Sequence, residues 1–497
     1  MIEMTLREIA DVVGGELHDV PDPQALVTGS VEFDSRRIGS GDLFLALPGA
    51  NSDGHDYAAT AIAAGAVAVL AARPVGVPAI VVAPDLGSVP ATSVALSSDE
   101  DGSGAAVLAA LAELARVSTE RLAERTGLTV VGVTGSSGKT STKDLLAAVL
   151  APLGAVVAPP GSFNNELGHP WTALRAGPDT KFLALELSAR GRGHIAELAR
   201  IAPPRIGVVL NVGTAHLGEF GSREAIAQAK GELVEALPAE GLAVLNADDP
   251  NVSAMASRTT ARVVKVGLSG DADIRATDVI TDDQARAHFT LHAGGESMPV
   301  RLAVHGEHQV GNALAAAAVA LECGADLATV AQALSGAAAA SVRRMDVTTT
   351  PAGVTVINDS YNANPDSVRA ALKALVTLAK SAGEPRRSWA VLGEMGELGD
   401  TSVIEHDAIG RLAVRLDVDR LIVVGTGRPS HGMHQGAVME GSWGEESILV
   451  PDIDAAIALL DDEIAAGDVV LVKASKAVGL WAVAEHLTGA AEGKTAR

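Results

Sequence analysis

Short apolar runs alternate with amphipathic segments through the middle of the chain. Runs rich in β-branched residues predict strands at 129–133, 181–187, 205–210, 242–246 and 263–266. Apolar residues at helical spacing predict helices at 223–237 and 311–321. Since strands that alternate with helices favour parallel pairing, we predict a mostly parallel sheet here. Residues 273–304 form shorter alternating runs broken by Gly294 and Gly295, which predicts an antiparallel excursion.

The same alternation returns towards the end of the chain. The predicted strands lie at 354–357, 389–392, 421–424 and 469–472, with helices at 366–380, 403–416 and 453–464. This pattern predicts a second open α/β sheet. The start of the chain carries helical patterns at 6–13, 57–64 and 105–115 and strand patterns at 66–70 and 79–82. We therefore predict three α/β domains, with boundaries at 1–117, 118–343 and 344–497.

The composition narrows the class of protein. Of 497 residues, 47% are hydrophobic. The chain has 38 Lys and Arg residues and 61 Asp and Glu residues, which gives a net charge of −23. This balance argues against nucleic acid as a partner, which would need a basic face. Cys323 is the single cysteine, so neither a disulfide framework nor a cysteine zinc cluster forms within one chain. We find no secretory signal and no uninterrupted apolar span, so we expect a soluble cytoplasmic protein without integral membrane association.

The segment Gly132-Val-Thr-Gly-Ser-Ser-Gly-Lys-Thr140 lies between a predicted strand and a predicted helix. Such a glycine-rich turn brings backbone N–H groups close to phosphate oxygens, Lys139 reaches the terminal phosphates, and Thr140 can bind Mg²⁺. The first glycine of the common pattern would fall on Val133 but stands at Gly132. A turn that serves packing alone is the alternative. The phosphate-binding interpretation makes the central domain P-loop ATPase-like and assigns ATP contacts to Gly135, Ser136, Ser137, Gly138, Lys139, Thr140 and Ser141.

Other polar residues follow predicted strands, where open α/β sheets bind ligands. Glu186 could hold a metal ion that faces the phosphate loop, although a solvated strand-end glutamate fits the sequence equally well. His216 is also a candidate, but a lone histidine is more often structural. Lys230 lies on a helical pattern, where a surface lysine is the default. Asp359 ends a strand and could bind a ribose or a phosphate-linked Mg²⁺.

Two further clusters are candidates for substrate binding. Phe163, Asn164 and Asn165 place two amides before a glycine, a pattern suited to polar substrate groups but also to a turn. Asp34, Ser35 and Arg36 could hold a diphosphate or a uracil edge, but a solvated turn is the simpler interpretation.

Together these motifs resemble the Mur ligases of peptidoglycan precursor synthesis, over nearly the whole chain. The phosphate loop is similar to that family's variant of the motif. The other similar segments are Phe163-Asn-Asn165, Asn211-Val-Gly-Thr-Ala-His216, Ala229-Lys-Gly-Glu232, Leu245-Asn-Ala-Asp-Asp-Pro250 and Gly306-Glu-His-Gln-Val-Gly-Asn312.

The resemblance implies a set of roles. It places Lys139 and the loop on ATP, Thr140 and Glu186 on Mg²⁺, and His216 on a second Mg²⁺ near the attacking carboxylate. A carbamylated Lys230 would supply a further oxygen ligand to metal, and Lys139, Lys230 and His216 would take part in catalysis. It also places His308 and Asn312 near the nucleotide base, Arg344 and Asp359 on ATP from the last domain, and Asp34, Ser35 and Arg36 near the UDP end of the substrate.

Three features point to one member of the family. They are Asp359-Ser-Tyr-Asn-Ala-Asn-Pro365, Leu392-Gly-Glu-Met-Gly-Glu-Leu-Gly399 with His406 beyond it, and Asp34-Ser-Arg36 with Gly41-Asp-Leu-Phe44. The resemblance then implies a monomer that uses ATP to join D-alanyl-D-alanine to UDP-N-acetylmuramoyl-tripeptide through an acyl phosphate. A ligase that adds a single amino acid or extends a folate tail, and a nucleotide-binding module without ligase chemistry, are the alternatives.

Two segments depart from the expected family pattern. Ala189-Arg-Gly-Arg-Gly-His194 is unusually basic, and Val472-Lys-Ala-Ser-Lys-Ala477 has alanine where glycine is expected. These departures concern substrate contacts rather than the reaction.

Overall fold

The chain folds into three α/β regions in the computed structural model, which describes residues 1–49, 52–84, 99–215, 217–380, 386–441 and 446–489. The first region has a five-stranded sheet in the order β2-β7-β6-β5-β4 and a separate antiparallel pair, β1 with β3. Its strands are β1 Met4–Thr5, β2 Glu16–His18, β3 Leu26–Val27, β4 Val31–Glu32, β5 Leu43–Leu45, β6 Ala68–Ala71 and β7 Ala79–Val81. Its helices are α1 Leu6–Val13, α2 Ala58–Ala64 and α3 Ser103–Thr126.

The central region is built on a nine-stranded sheet in the order β16-β15-β14-β13-β12-β11-β8-β10-β9. Its strands are β8 Thr129–Thr134, β9 Ala155–Val157, β10 Thr180–Glu186, β11 Ile206–Val209, β12 Leu242–Asn246, β13 Arg262–Gly267, β14 Ile274–Thr281, β15 Arg286–Ala293 and β16 Glu296–His305. Its helices are α4 Lys139–Leu150, α5 Gly168–Ala173, α6 His194–Ile201, α7 Leu217–Phe220, α8 Arg223–Glu235, α9 Pro250–Ser253, α10 Gln309–Glu322 and α11 Leu327–Gly336. Neighbours from β9 to β14 pair in parallel, and β14, β15 and β16 are antiparallel. The predicted parallel sheet and antiparallel excursion are confirmed.

The last region has a six-stranded sheet in the order β17-β18-β22-β19-β20-β21, parallel except for β17. Its strands are β17 Asp346–Thr349, β18 Thr355–Asn358, β19 Ser388–Leu392, β20 Arg420–Val424, β21 Ser447–Val450 and β22 Val469–Lys473. Its helices are α12 Pro365–Lys380, α13 Ser402–Arg415, α14 Arg428–Glu440, α15 Ile453–Glu463 and α16 Trp481–Thr488. No helix in the described ranges combines the length and the apolar character that crossing a membrane requires.

Helix α3 is longer than predicted. It runs from Ser103 to Thr126, so residue 117, where we predicted a boundary, falls inside it. One hydrophobic cluster includes Leu6 and Ile80 of the first region, Leu111 of α3, and Leu183 and Leu233 of the central region. The first two regions therefore share one core. The last region packs its apolar residues into two clusters of its own, in which Ala285 is the one central-region member among the described residues.

Helices α13 and α14 approach each other unusually closely through glycine. A Cβ atom on Gly410 would overlap the carbonyl oxygen of Met433, and one on Gly436 would overlap the carbonyl oxygen of Asp407. Because these neighbours are backbone atoms, they cannot rotate away as a side chain would, and the helices would have to separate.

We expect Gly410→Ala to lower the free energy of unfolding by about 3 kcal/mol, at the upper end of the cost of overpacking a core. Urea unfolding followed by circular dichroism measures this change. Gly336→Ala is the matched control, because the end of α11 has open space at this position and the effect should stay within about 0.5 kcal/mol. Equal midpoints for the two variants would contradict the interpretation of the glycine contact.

Candidate active site

The predicted phosphate loop connects β8 to α4 and lies at the carboxyl edge of the central sheet. The turn contains Gly135 to Gly138, and α4 begins at Lys139, whose Nζ donates a hydrogen bond to the Gly135 carbonyl at 2.8 Å. Gly138 has φ of +84°, and a Cβ atom there would lie 2.6 Å from Asn312 Oδ1. The cradle therefore requires glycine at this position both for its backbone conformation and for space.

Gly132 is not part of the cradle. It lies inside β8, where a Cβ atom would come within 3.1 Å of both Leu187 Cδ1 and Leu233 Cδ1. Our interpretation of Gly132 as the displaced first glycine of the loop is therefore wrong. The glycine lets side chains of neighbouring elements pack close to the strand.

Asn211 holds the loop from the end of the neighbouring strand. Its Oδ1 accepts a hydrogen bond from the Ser137 N–H at 3.0 Å, and its Nδ2 donates to the Ser137 carbonyl at 3.2 Å. Its backbone carbonyl also accepts from the Ser136 N–H at 3.2 Å, and Ser136 Oγ accepts from the Gly213 N–H at 2.9 Å. We assigned no role to Asn211 from sequence, although an asparagine directly after a strand that adjoins the loop was an available signal.

We expect Asn211→Ala to raise the KM for ATP about tenfold with a smaller effect on kcat, because losing two hydrogen bonds lets the empty loop relax away from its binding shape. Steady-state kinetics with varied ATP measures this. Asn251→Ala, at the start of α9, is the control. A fall in kcat at unchanged KM would contradict this role.

Glu186 is buried, which excludes the solvated strand-end alternative. Its Oε2 accepts hydrogen bonds from the Thr140 hydroxyl and from Asn164 Nδ2, both at 3.2 Å. Its Oε1 is buried and has no hydrogen-bond partner among the described residues. Burial raises the pKa of the Glu186 carboxyl, and the nearby charge of Lys139 opposes that rise. A buried carboxylate oxygen without a donor, next to a threonine hydroxyl, is suited to a hard divalent cation.

Lys230 is also buried, which excludes the surface-lysine alternative. Desolvation lowers its pKa well below the usual value, and the charge of Lys139 adds to the effect. Its Nζ has no hydrogen-bond or ion-pair partner within the described ranges. His216 lies outside the described residues, so its predicted role stays a prediction.

Arg344 brings the last domain onto the phosphate loop. Its Nη2 donates to Ser162 Oγ at 3.0 Å and to Thr140 Oγ1 at 3.3 Å, and its guanidinium lies 4.3 Å from the centroid of the Tyr361 ring. Ser162 Oγ lies 2.6 Å from Thr140 Oγ1. Ser162 and Tyr361 were not among our predicted site residues, although Tyr361 lies within the segment 359–365 and Ser162 directly precedes Phe163-Asn-Asn165.

Asp359, which the resemblance places on ATP, uses both of its carboxylate oxygens to bind protein groups. Its Oδ1 accepts from the Met345 N–H at 3.1 Å, and its Oδ2 accepts from Lys473 Nζ at 2.6 Å. Lys473 is buried and also donates to the Asn362 carbonyl at 2.9 Å. This pair fixes the linker 337–345 between α11 and β17, which carries Arg344. Lys473 is a further residue that our sequence reasoning missed.

The remaining predicted ATP residues border the loop. Asn312 is buried against Gly138, and its Nδ2 donates to Gln309 Oε1 at 2.8 Å. His308 precedes α10 and lies within electrostatic range of Asp359 and Lys473. Ser141, together with Gln309 and Arg344, lines a small cavity between α4, α10 and the linker.

The predicted substrate residues separate into two groups. Asn164 contacts Glu186, and Asn165 Oδ1 accepts from the Gly168 N–H at 2.9 Å at the start of α5. The Phe163 ring lies 4.8 Å from the ring of Trp171, whose Nε1 donates to the Val31 carbonyl of the first domain at 2.8 Å. This cluster therefore joins the phosphate site to the first domain.

Asp34, Ser35 and Arg36 form a solvent-facing turn in the first domain. Asp34 caps the 3-10 helix Ser35–Arg37 and pairs with Arg36 through two side-chain hydrogen bonds of 2.8 and 2.9 Å. The Arg36 side chain is 86% exposed, and its hydrogen bonds lower the pKa of Asp34 to about 2. The structure does not bring this turn into contact with the phosphate loop.

Comparison with known proteins agrees with this architecture. Profiles described as Mur ligase family, catalytic domain, as Mur ligase middle domain and as Mur ligase, glutamate ligase domain match residues 29–116, 133–320 and 343–476. The UDP-N-acetylmuramoyl-tripeptide–D-alanyl-D-alanine ligase of Mycobacterium tuberculosis is 62% identical, with 98% of each chain covered. The Escherichia coli enzyme of the same name is 31% identical, with 98% of this chain and 99% of that protein covered.

Solved structures give the same result. A crystal structure of MurF from Acinetobacter baumannii has a TM-score of 0.81 at 29% identity, covering 98% of this chain and 99% of that one. MurF from Thermotoga maritima in complex with ADP has a TM-score of 0.75 at 29% identity, covering 94% and 99%. Both the sequence and the three-domain structure therefore place this chain in the Mur ligase family.

Proposed function

We propose that this chain joins D-alanyl-D-alanine to UDP-N-acetylmuramoyl-tripeptide and converts ATP to ADP and phosphate, in peptidoglycan precursor synthesis. The observation that carries the proposal is the meeting of Lys139, Thr140 and Glu186 of the central domain with Arg344 of the last domain. Relatives named UDP-N-acetylmuramoyl-tripeptide–D-alanyl-D-alanine ligase match along nearly the full chain.

The first step is phosphoryl transfer. A carboxylate is a poor acylating agent, so the terminal carboxylate of the tripeptide attacks the γ-phosphorus of ATP and ADP leaves, which produces an acyl phosphate. Lys139 and Arg344 offset negative charge on the phosphoryl oxygens, and the loop N–H groups hold the remaining phosphates. The amine of the dipeptide then attacks the acyl carbon, and phosphate leaves from the tetrahedral intermediate.

The residues present fit a magnesium ion. Glu186 and Thr140 would hold it, and His216 would bind a second Mg²⁺ near the attacking carboxylate. No group of three or more His, Cys, Asp or Glu side chains that could hold a metal occurs in the part of the chain described, so phosphate oxygens would complete the shell, as Mg²⁺ commonly requires. When bound, Mg²⁺ offsets charge on the phosphoryl oxygens.

The surroundings of Lys230 suit the formation of a carbamate on its side-chain amine. Because burial lowers its pKa, a larger fraction of the amine is in the neutral form that attacks CO₂. The N–C bond forms, the amine loses a proton, and a neutral group becomes an anionic oxygen ligand beside Lys139. The burial of Lys230 without a described polar partner supports this proposal.

The domains divide the remaining tasks. We assign the UDP end of the substrate to residues 1–117, ATP to 118–343, and closure on ATP with binding of the dipeptide to 344–497. Phe163, Asn164 and Asn165 connect the first two sites. We expect a monomer that acts in the cytoplasm, where ATP is available.

The test compares amine acceptors. The protein is incubated with ATP, Mg²⁺ and UDP-N-acetylmuramoyl-tripeptide, and amide formation is followed by mass spectrometry with D-alanyl-D-alanine or with single amino acids. We expect product only with the dipeptide. Amide formation with a single amino acid alone would indicate a different ligase, and nucleotide binding without any amide would indicate a nucleotide-binding module.

A further inference from the structure

The loop 393–399 of the last domain follows β19 and has no role in the steps above. His406 holds it from within its own domain. The imidazole is buried, its Nε2 accepts from the Met395 N–H at 2.8 Å, and its Nδ1 donates to the Ser402 carbonyl at 2.6 Å. The loop is therefore a fixed part of the last domain.

The other side of the loop contacts the central domain. The Glu397 carbonyl accepts from the Gly218 N–H at 3.1 Å, and Glu397 Oε1 accepts from Arg190 Nη2 at 3.2 Å. Arg190 also lies 3.7 Å from Glu219. A Cβ atom on Gly218 would lie 2.5 Å from the Gly399 nitrogen, so the two backbones meet where only glycine fits.

Glu397 adopts a costly backbone conformation to make these contacts. Its φ is +62°, in the left-handed region that non-glycine residues rarely occupy. Such conformations persist where surrounding contacts require them and concentrate at functional sites. Here both the carbonyl and the carboxylate of one strained residue bond to the opposite domain.

The contact points lie next to the reacting groups. Arg190 follows Glu186 by four residues, and Gly218 stands in α7, directly after the segment 211–216. The charge of Glu397 also reaches Lys139. The loop therefore bonds to the two central-domain segments that follow the candidate metal ligands.

We propose that Arg190 and Glu397 are positioning residues whose ion pair keeps the last domain closed over the acyl phosphate until the amine attacks. This inference rests on the proposed function. If the domains part early, water attacks the acyl phosphate instead, the substrate carboxylate and phosphate are released, and ATP is consumed without an amide bond.

The experiment measures phosphate released per amide formed, for the full chain with ATP, UDP-N-acetylmuramoyl-tripeptide and D-alanyl-D-alanine. Arg190→Gln and Glu397→Gln should each raise this ratio about threefold, the size expected for a partly exposed ion pair, with little change in the KM for ATP. The double variant should be no worse than either single variant, since both break the same contact. Arg415→Gln, which breaks a pair with Glu440 within the last domain, is the control and should leave the ratio unchanged.

Gly218→Ala tests the same closure without changing a charge and should raise the ratio as well. An unchanged ratio in all three variants, or independent effects that multiply in the double variant, would overturn the proposal. Failure of the wild type to form an amide with the dipeptide would instead reject the proposed function. The ratio can then be measured with whichever amine the wild type accepts.

Discussion

Replacing Lys139 by methionine should lower the rate of amide formation by about 1000-fold, the upper range for loss of one group that stabilises charge in a transition state. Lys139 is the one cationic side chain of the loop 135–141, and its Nζ already lies against the Gly135 carbonyl inside the cradle. Methionine keeps the length and the packing of the stem but removes the charge, so the fold should remain unchanged.

Release of ADP and formation of amide measure the effect, and thermal unfolding checks the fold. Lys373→Met is the control, because Lys373 is exposed on α12 away from the loop. If Lys139→Met kept a tenth or more of the wild-type rate with a normal melting temperature, the loop would not be the site of phosphoryl transfer.

Removing Lys230 should lower turnover on the order of 100-fold, as expected when an interaction that supports a metal site is lost. Lys230→Ala leaves space beside Lys139, so formate or acetate should restore part of the activity by supplying the missing oxygen. Lys230→Met fills that space and should not respond. Equal rescue of both variants, or full activity in either, would contradict a carbamate at this position.

The buried amine of Lys230 should also lower the free energy of unfolding. Because its folded-state pKa is lowered, the unfolded chain holds a proton that the folded chain has released, and stability falls as the pH falls below the ordinary lysine pKa. Lys230→Met should therefore raise the unfolding midpoint in buffer free of CO₂ at neutral pH. The gain should shrink as the pH rises towards 10. A constant difference across this range would show that the amine is not neutral in the folded protein.

The sequence patterns predicted most strands of the central and last sheets, and the strand, turn and helix around Gly135, because these depend on local signals. In the first region they predicted only β6 and β7, since the other strands there are two or three residues long. About 20 residues contain every signal for the loop, namely the apolar run before Gly135, the glycines of the turn and the helical spacing after Lys139. The paired turn of Asp34 and Arg36 is equally local, and the simpler interpretation as a solvated turn fits it.

The environment of each site residue was less predictable. Whether Glu186 is buried depends on Asn164 and on Arg344, which stand 22 and 158 positions away in the sequence. The helix that carries Lys230 was predicted, but which of its faces meets β8 was not. The hydrogen-bonded ion pair of Asp359 and Lys473 joins residues 114 positions apart, and neither motif contains a signal that predicts the other as its partner.

The core shared by the first two domains has a consequence for heat-induced unfolding. The apolar side chains on either side of α3 cannot be exposed separately, so these two domains form one cooperative unit. The last domain has its own apolar clusters and meets the others largely through polar contacts, so it forms a second unit. A nucleotide held by both Lys139 and Arg344, as we propose, would stabilise the two units together, so two heat-absorption peaks expected without nucleotide should merge into one when it is added.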